Sequence, residues 1–182
     1  MLTATIYNFE IDLADHDRSV YETLALRVAR HPSESEEYFW TRVLAYAIEF
    51  VDGIEFSRGG LSDPDEPAIV IRDLTGAIRS WIEIGAPDAA RLHKAAKAAP
   101  RVAVYTHKDP APLVSRLASE RIHKAAAIEL YAFDRGFIAA LSDHLDRRVA
   151  FALSVTDREL YLSIGDRTFT SRLTRHPIAA IP

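Results

Sequence analysis

The sequence predicts an α/β protein, or α+β by a stricter count: a mixed β-sheet flanked by helices, with an antiparallel C-terminal extension. Three observations carry this. Strand-like and helix-like segments alternate from about residue 54 to residue 145. Phe39, Trp40, Val43, Leu44, Ala47, Ile48 and Val51 recur at the spacing of one helix face. The last forty or so residues break into short alternating segments, 148–155, 159–164 and 168–173, punctuated by Asp157-Arg158 and Gly165-Asp166, which read as a meander.

In chain order, residues 3–14 alternate apolar and polar, the period of a strand with one wetter face. Asp15-His16-Asp17 reads as a turn and N-cap, and Val20, Leu24, Leu26 and Val28 predict a helix over 18–30, broken by Pro32. Ser33 with Glu36 three residues later is a capping-box pattern that opens the next helix, and Gly53 ends it. A short strand is expected over 54–58. The stretch 58–67 is rich in Gly, Pro, Ser and Asp, hence a loop, and its Gly59-Gly60 pair is too little to cradle a phosphate. Segments 68–74 and 77–84 form a hairpin about Thr75-Gly76. Pro87 suits the first position of a helix reaching about residue 99. A strand follows at 101–106, then a helix at 112–119, a strand at 126–133 and a helix at 135–145 begun by Asp134-Arg135-Gly136. RLHKAA at 91–96 echoes RIHKAA at 121–126, but the flanks do not match, so no repeat is assigned. Nothing reads as a linker, and one domain is expected over 1–182.

Composition narrows the function classes. With 48% apolar and 26% charged residues the chain is of ordinary globular type. The absence of Cys excludes a disulfide framework, a thiol nucleophile and any Cys-ligated metal. The alternating, acidic start is unlike a signal peptide, no apolar run approaches ~18 residues, and a cytoplasmic location is expected. The seven His form no metal-binding helical pair, and no nucleophile elbow, Walker or dinucleotide-binding glycine pattern occurs. His31, before Pro32, reads as a local group, either a hydrogen bonder at the helix entry or a phosphate contact.

Three acidic sites remain: Glu34 with Glu36 and Glu37, Asp63 with Asp65 and Glu66, and Glu83 within the apolar run Trp81-Ile82-Glu83-Ile84. Strand parity puts Glu83 on the face of Trp81, where it needs water, a cation or a metal. Asp65 shares that face if the hairpin connection has three residues and leaves it if the connection has two. Between Asp88 and Asp109 the chain carries Arg91, Lys94, Lys97, Arg101 and Lys108 with no acid, a local basic stretch in a chain of net charge −4. Oxygen ligands beside cations are what a divalent ion and a phosphate backbone require.

RHPSE at 30–34, FSRG at 56–59, DEP at 65–67, WIEIGAPD at 81–88 and HKA at 93–95 together resemble the YaeQ family, over nearly the whole chain. That resemblance implies a variation on the PD-(D/E)xK nuclease superfamily, with a restriction-endonuclease-like core over roughly 33–106. It implies a magnesium-dependent phosphodiesterase (Mg²⁺ or Mn²⁺) acting on DNA or RNA. Asp65 would be the aspartate of the motif, Glu83 its second carboxylate, and Glu34 an added metal ligand, with Glu37 as alternative. The motif's lysine position holds Gly85, so Lys94 on the following helix takes that role, with Lys97 and Arg91 behind it. Arg91, Lys94, Lys97 and Arg101 would meet nucleic acid. Two further readings stand beside this one: a non-catalytic nucleic-acid-binding or regulatory module that keeps the fold, and a protein-interaction domain with a solvated acidic face.

Overall fold

The computed structural model describes residues 3–58, 63 and 65–179. Its elements are β1 (Thr5–Asp15), β2 (Val20–Arg30), α1 (Glu36–Ile48), β3 (Ile54–Phe56), β4 (Ile69–Arg72), β5 (Ile78–Ile84), α2 (Ala89–Ala98), β6 (Arg101–Thr106), α3 (Pro110–Ala118), β7 (Glu129–Ala132), α4 (Arg135–Ser142), β8 (Arg148–Thr156), β9 (Glu159–Ile164), β10 (Arg167–Arg172) and β11 (Thr174–Arg175). The mixed α/β class is as expected, but the strands form two mixed sheets rather than one. The chain divides into two compact units, Met1–Ile48 with Phe133–Thr174, and Glu49–Ala132 with Arg175–Pro182.

The first unit holds the five-stranded sheet β10-β9-β8-β1-β2. β1 runs parallel to β8, and the other neighbours are antiparallel. The alternation read in residues 3–14 is real: Phe9, Ile11 and Leu13 are buried while Asn8, Glu10 and Asp12 are exposed. On the buried face Phe9 packs against Phe39, Trp40 and Phe151 at ring separations of 5.8, 5.6 and 6.3 Å.

The helix expected over 18–30 is instead β2, paired with β1 through eleven residue pairs from Thr5–Arg30 to Asp15–Val20. Positions 20, 24 and 28 fit a period of two as well as a helical face, and Leu24, Leu26 and Val28 in fact alternate. Pairing with the long β1 decides between them, since the edge strand needs only its Leu24 and Val28 buried. The capping box also shifts by two residues: Ser35, not Ser33, accepts from the Tyr38 N–H at 3.0 Å and caps α1. Ser33 pairs with the His31 ring, whose Nδ1 accepts from the Ser33 N–H at 3.1 Å, so His31 does act at the helix entry.

The second unit holds the six-stranded sheet β11-β7-β6-β5-β4-β3. β5, β6 and β7 are parallel, and β3, β4 and β5 form an antiparallel meander. Asp88 rather than Pro87 opens α2, accepting from the Arg91 N–H at 2.8 Å. The strand expected over 126–133 is shortened to 129–132 by a 3₁₀ turn at Ala125–Ala127. Leu92, Ala95, Val102, Val104, Leu113, Leu117 and Leu130 build the core between α2, α3 and the sheet. The two echoed hexapeptides meet there: Leu92 and Ile122, and Ala95 and Ala125, enter one cluster, and His93 Nδ1 accepts from the His123 N–H at 3.0 Å. Their backbones differ, helix against 3₁₀ turn with Lys124 at φ 50°, so they are no repeat.

Candidate functional site

Glu83 lies on β5, the central antiparallel-to-parallel junction of its sheet, and is only 4% exposed. A solvated sheet face is therefore not its setting. As parity required, it shares a face with Trp81, whose Nε1 donates to Glu83 Oε1 at 2.5 Å. Arg91 Nε donates to the same oxygen at 2.8 Å. Burial still dominates and holds the Glu83 carboxyl above its ordinary range, against the pull of the Arg91 and Trp81 hydrogen bonds. The cation that parity and burial called for is thus Arg91, one turn into α2.

Arg91 also organises the acidic loop. Its Nη2 donates to the Glu66 carbonyl at 2.7 Å and its Nη1 to the Asp63 carbonyl at 3.4 Å. Lys94, three residues along the same helix face, pairs with Asp65 Oδ1. Asp65 is exposed, its side chain at 75%, and the Lys94 hydrogen bond and charge hold its carboxyl below the usual range. The loop is braced internally by Asp63 Oδ1, which accepts from the Asp65 N–H at 2.9 Å, and by the Ser57 hydroxyl, which donates to Glu66 Oε2 at 2.8 Å. Gly59-Gly60 lies outside the described residues.

The hairpin register resolves the alternatives for Asp65 in an unforeseen way. The connection has three residues, with the Asp73 N–H on the Ala77 carbonyl at 3.0 Å. A bulge then shifts the pairing, since Ile71 faces Ser80 while Arg72 faces Ile78. Ile69 consequently faces Ile82. The strand ends at Ile69, so Asp65 stands in the turn before it and reaches the site through Lys94 rather than by strand parity.

Asp65, Glu83, Arg91 and Lys94 are therefore gathered around one face of α2. Glu34 lies at the entry to α1, in the first unit. It is buried, with Arg42 Nε and Nη2 donating to its two oxygens at 3.1 and 2.8 Å and the His31 N–H donating to Oε1 at 3.0 Å. Glu37 is exposed in the first turn of α1. Among the described residues no three His, Asp or Glu side chains come together as a metal cluster. Lys97 is exposed on α2. Arg101 is committed: its guanidinium donates to Glu49 at 2.8 and 2.9 Å and to Glu129 at 2.6 and 3.3 Å.

Sequence reasoning missed the partners rather than the charges. Trp81 as the indole donor to Glu83 was legible in the two-residue spacing on one strand face. The Asp63 and Glu66 carbonyls that hold Arg91 had no such signal, being main-chain atoms of an irregular loop.

Comparison with known proteins bears on the whole chain. A family model described as YaeQ protein matches residues 1–173. An uncharacterised YaeQ protein of Salmonella typhi is 33% identical over 174 residues, covering 95% of this chain and 96% of that one. Its Escherichia coli (strain K12) counterpart is 31% identical over the same span. The crystal structure of YaeQ protein from Pseudomonas syringae matches with TM-score 0.86 and 28% identity, over 94% of this chain and 95% of that one. That from Xanthomonas axonopodis pv. citri matches with TM-score 0.81 and 28% identity, over 97% and 100%.

Proposed function

As the chain belongs to the YaeQ family, we propose that it is a nuclease-like, Mg²⁺-dependent phosphodiester hydrolase built as a variant of the PD-(D/E)xK site. The observation that carries this reading is the attachment of two carboxylates, Glu83 from the sheet and Asp65 from the loop, to two cations on one face of α2.

The donor set suits Mg²⁺ of a particular kind. Mg²⁺ takes oxygen ligands, keeps waters and needs only one or two carboxylates with a substrate phosphate. Glu83 and Asp65 supply those two, and Glu34, the third candidate carboxylate, is paired with Arg42. Mg²⁺ or Mn²⁺ bound there supplies Lewis-acid polarisation of the phosphate and activation of water. Arg91 would be the partner that exchanges. Its guanidinium now neutralises Glu83, and the same planar fork pairs with a phosphate once the carboxylate has another partner. Lys94 takes the position of the displaced motif lysine and meets charge developing on the phosphate. Lys97 extends the basic face along the backbone of a nucleic acid, whereas Arg101, neutralised by Glu49 and Glu129, contributes no free charge.

A second reading has its own observation. Trp81 and Arg91 already occupy Glu83 Oε1, the pattern of a carboxylate retained as a structural anchor in a non-catalytic nucleic-acid-binding module. The experiment that separates the two is cleavage of labelled DNA and RNA panels in Mg²⁺, Mn²⁺ or EDTA by wild type, Glu83→Gln and Lys94→Met. Metal-dependent cleavage that falls at least about 100-fold in both variants sustains the hydrolase. Folded protein that cleaves nothing, yet binds nucleic acid equally well with Glu83→Gln, replaces it by the binding module. Neither cleavage nor binding at physiological salt leaves the protein-interaction reading.

A further inference from the structure

The outer face of the five-stranded sheet carries a pattern that neither the fold nor the α2 site uses. The strand registers lay it out in rows. Asn8 of β1 lies between Arg27 of β2 and Arg148 of β8. Glu10 lies between Ala25 and Ala150, and Asp12 between Thr23 and Ala152. Ala14 follows, between Tyr21 and Ser154, and Ser154 in turn faces Tyr161 of β9. All of these except Ala14 and Ser154, which are half-buried, are exposed. Tyr21 and Tyr161 are 58% and 45% exposed, two large rings at the same end of the face.

Ala is a poor strand former, and an open sheet face ordinarily carries longer or branched side chains. Here Ala25 and Ala150 leave a shallow groove of about 590 Å³, floored by the β1, β2 and β8 backbones around Glu10 and bounded by Arg27 and Arg148. Small residues alone say nothing of an occupant. The charge layout does. Two arginines stand at one end, and two acids follow along the same central strand, so the face is complementary to itself when turned end for end.

We infer that this face joins two copies of the chain, packed sheet to sheet about a two-fold axis. An antiparallel placement lays the Arg27–Asn8–Arg148 row of each copy over the Asp12 row of the other, and the two Glu10 side chains meet on the axis, flanked by the arginine pairs of both copies. The relation is isologous, as closed homodimers require. The small central residues let the two sheets approach to the ~10 Å of ordinary face packing. Five strands by four rows span roughly 25 Å each way, about 600 Å² per copy. A stable interface typically uses about 800 Å² per partner, so the dimer is a reversible, concentration-dependent one. A nucleic acid is a poor occupant, because the arginines and acids cancel across the face.

Sedimentation velocity over a range of protein concentrations tests this, with circular dichroism to establish folding of each variant. Wild type is expected to shift from monomer to dimer as concentration rises. The double reversal Arg27→Glu, Arg148→Glu and the single reversal Asp12→Arg should each weaken self-association at least tenfold. Mixing the two variants should restore a dimer, since each then offers what the other lacks. A wild type that stays monomeric up to millimolar concentration overturns the inference. So does a dimer that the reversals leave unchanged, or a mixture in which association is not regained.

Discussion

Arg91 and Trp81 share one oxygen of Glu83, at 2.8 and 2.5 Å, in a site that holds the carboxyl above its ordinary range. For a carboxyl raised in the folded state, the folded form binds the proton more tightly than the unfolded chain. Stability therefore falls as pH rises from the ordinary carboxylate range through the raised value. At pH 8 the charged Glu83 is a burden that the fold carries. Glu83→Gln keeps the shape and an oxygen acceptor for both donors while removing the buried charge. The variant should melt at or above the wild-type temperature at pH 8, and that advantage should shrink at pH 4. Thermal melts at the two pH values measure it. A marked loss of stability at pH 8 would mean that the Arg91 pair outweighs the burial. Loss of cleavage with no loss of stability would mark Glu83 as kept for chemistry, the trade-off usual at functional sites.

Arg101 presents the opposite balance. It lies between Glu49 and Glu129, with Tyr105 donating to Glu49 at 2.5 Å and Tyr131 to Glu129 at 2.7 Å. Burial and the neighbouring Glu49 push the Tyr105 phenol up, so it remains a neutral donor. Burial raises the Glu129 carboxyl, but the Arg101 and Tyr131 hydrogen bonds and the Arg101 charge outweigh it and leave it lowered. Arg101→Met strands two carboxylates and should destabilise the protein by about 2 kcal/mol, discounted from the range for fully buried pairs because the Arg101 side chain is 33% exposed. A lowered carboxyl contributes stability above the unfolded pKa that disappears as pH falls through the folded one. The gap between wild type and variant, read from urea midpoints, should thus narrow below pH 4. Binding of nucleic acid should be unchanged, because this charge is already neutralised; a large fall in affinity with stability intact would return Arg101 to the basic face.

How far the residues alone disclose this architecture depends on which interactions are local. The strand 101–106, the meander near the C-terminus and the Asp134 start of α4 are written in short-range periodicity and turn chemistry, and the structure has them. The membership of β2 is not local. Positions 20, 24 and 28 satisfy both periods, and the pairing with β1 that decides between them is a tertiary fact. The division of the strands into two sheets likewise depends on β1 pairing with β8, about 140 residues away. At the site, Glu83 stood out as a charge among isoleucines, and Arg91 and Lys94 as cations three apart. The bulge opposite Ile71, which removes Asp65 from strand parity, has no signature in the composition of the hairpin.

Gly53 is a tight point in the second unit. Its φ is +93°, and a Cβ there would stand 2.2 Å from the Arg72 carbonyl oxygen. The approach is built in, since the Arg72 N–H donates to the Gly53 carbonyl at 3.0 Å where β3 meets β4. The obstacle is main chain rather than a yielding side chain. Gly53→Ala should therefore cost about 2 kcal/mol or more, combining left-handed backbone strain with steric overlap. Denaturant unfolding measures the loss. A cost below about 0.5 kcal/mol would show that the β3–β4 junction can open without consequence.

The turn between β8 and β9 is improvable. Asp157 and Arg158 both take positive φ, 50° and 61°, the conformation of a two-residue type I′ hairpin turn. It is held from across the sheet by Asp17, whose oxygens accept from the Asp157 and Arg158 N–H groups at 2.7 and 3.0 Å. Asp tolerates the left-handed region, but Arg at the second position does not gain from it, and its side chain is exposed. Arg158→Gly makes the preferred Asp-Gly turn and keeps the main-chain atoms that bond Asp17 and Leu173. The relief of about 1 kcal/mol is partly offset by the added freedom of glycine in the unfolded chain, leaving a net gain of about 0.5 kcal/mol. That corresponds to a rise of roughly 1–2 °C in Tm for a chain of this size. Asp17→Ala should move the midpoint the other way by removing both acceptors, and combining the two changes should give the sum only if the turn keeps its geometry without Asp17. Scanning calorimetry of the two single variants and the double variant reads this directly. A fall in Tm for Arg158→Gly would mean that the Arg158 side chain, not its backbone, is what the turn relies on.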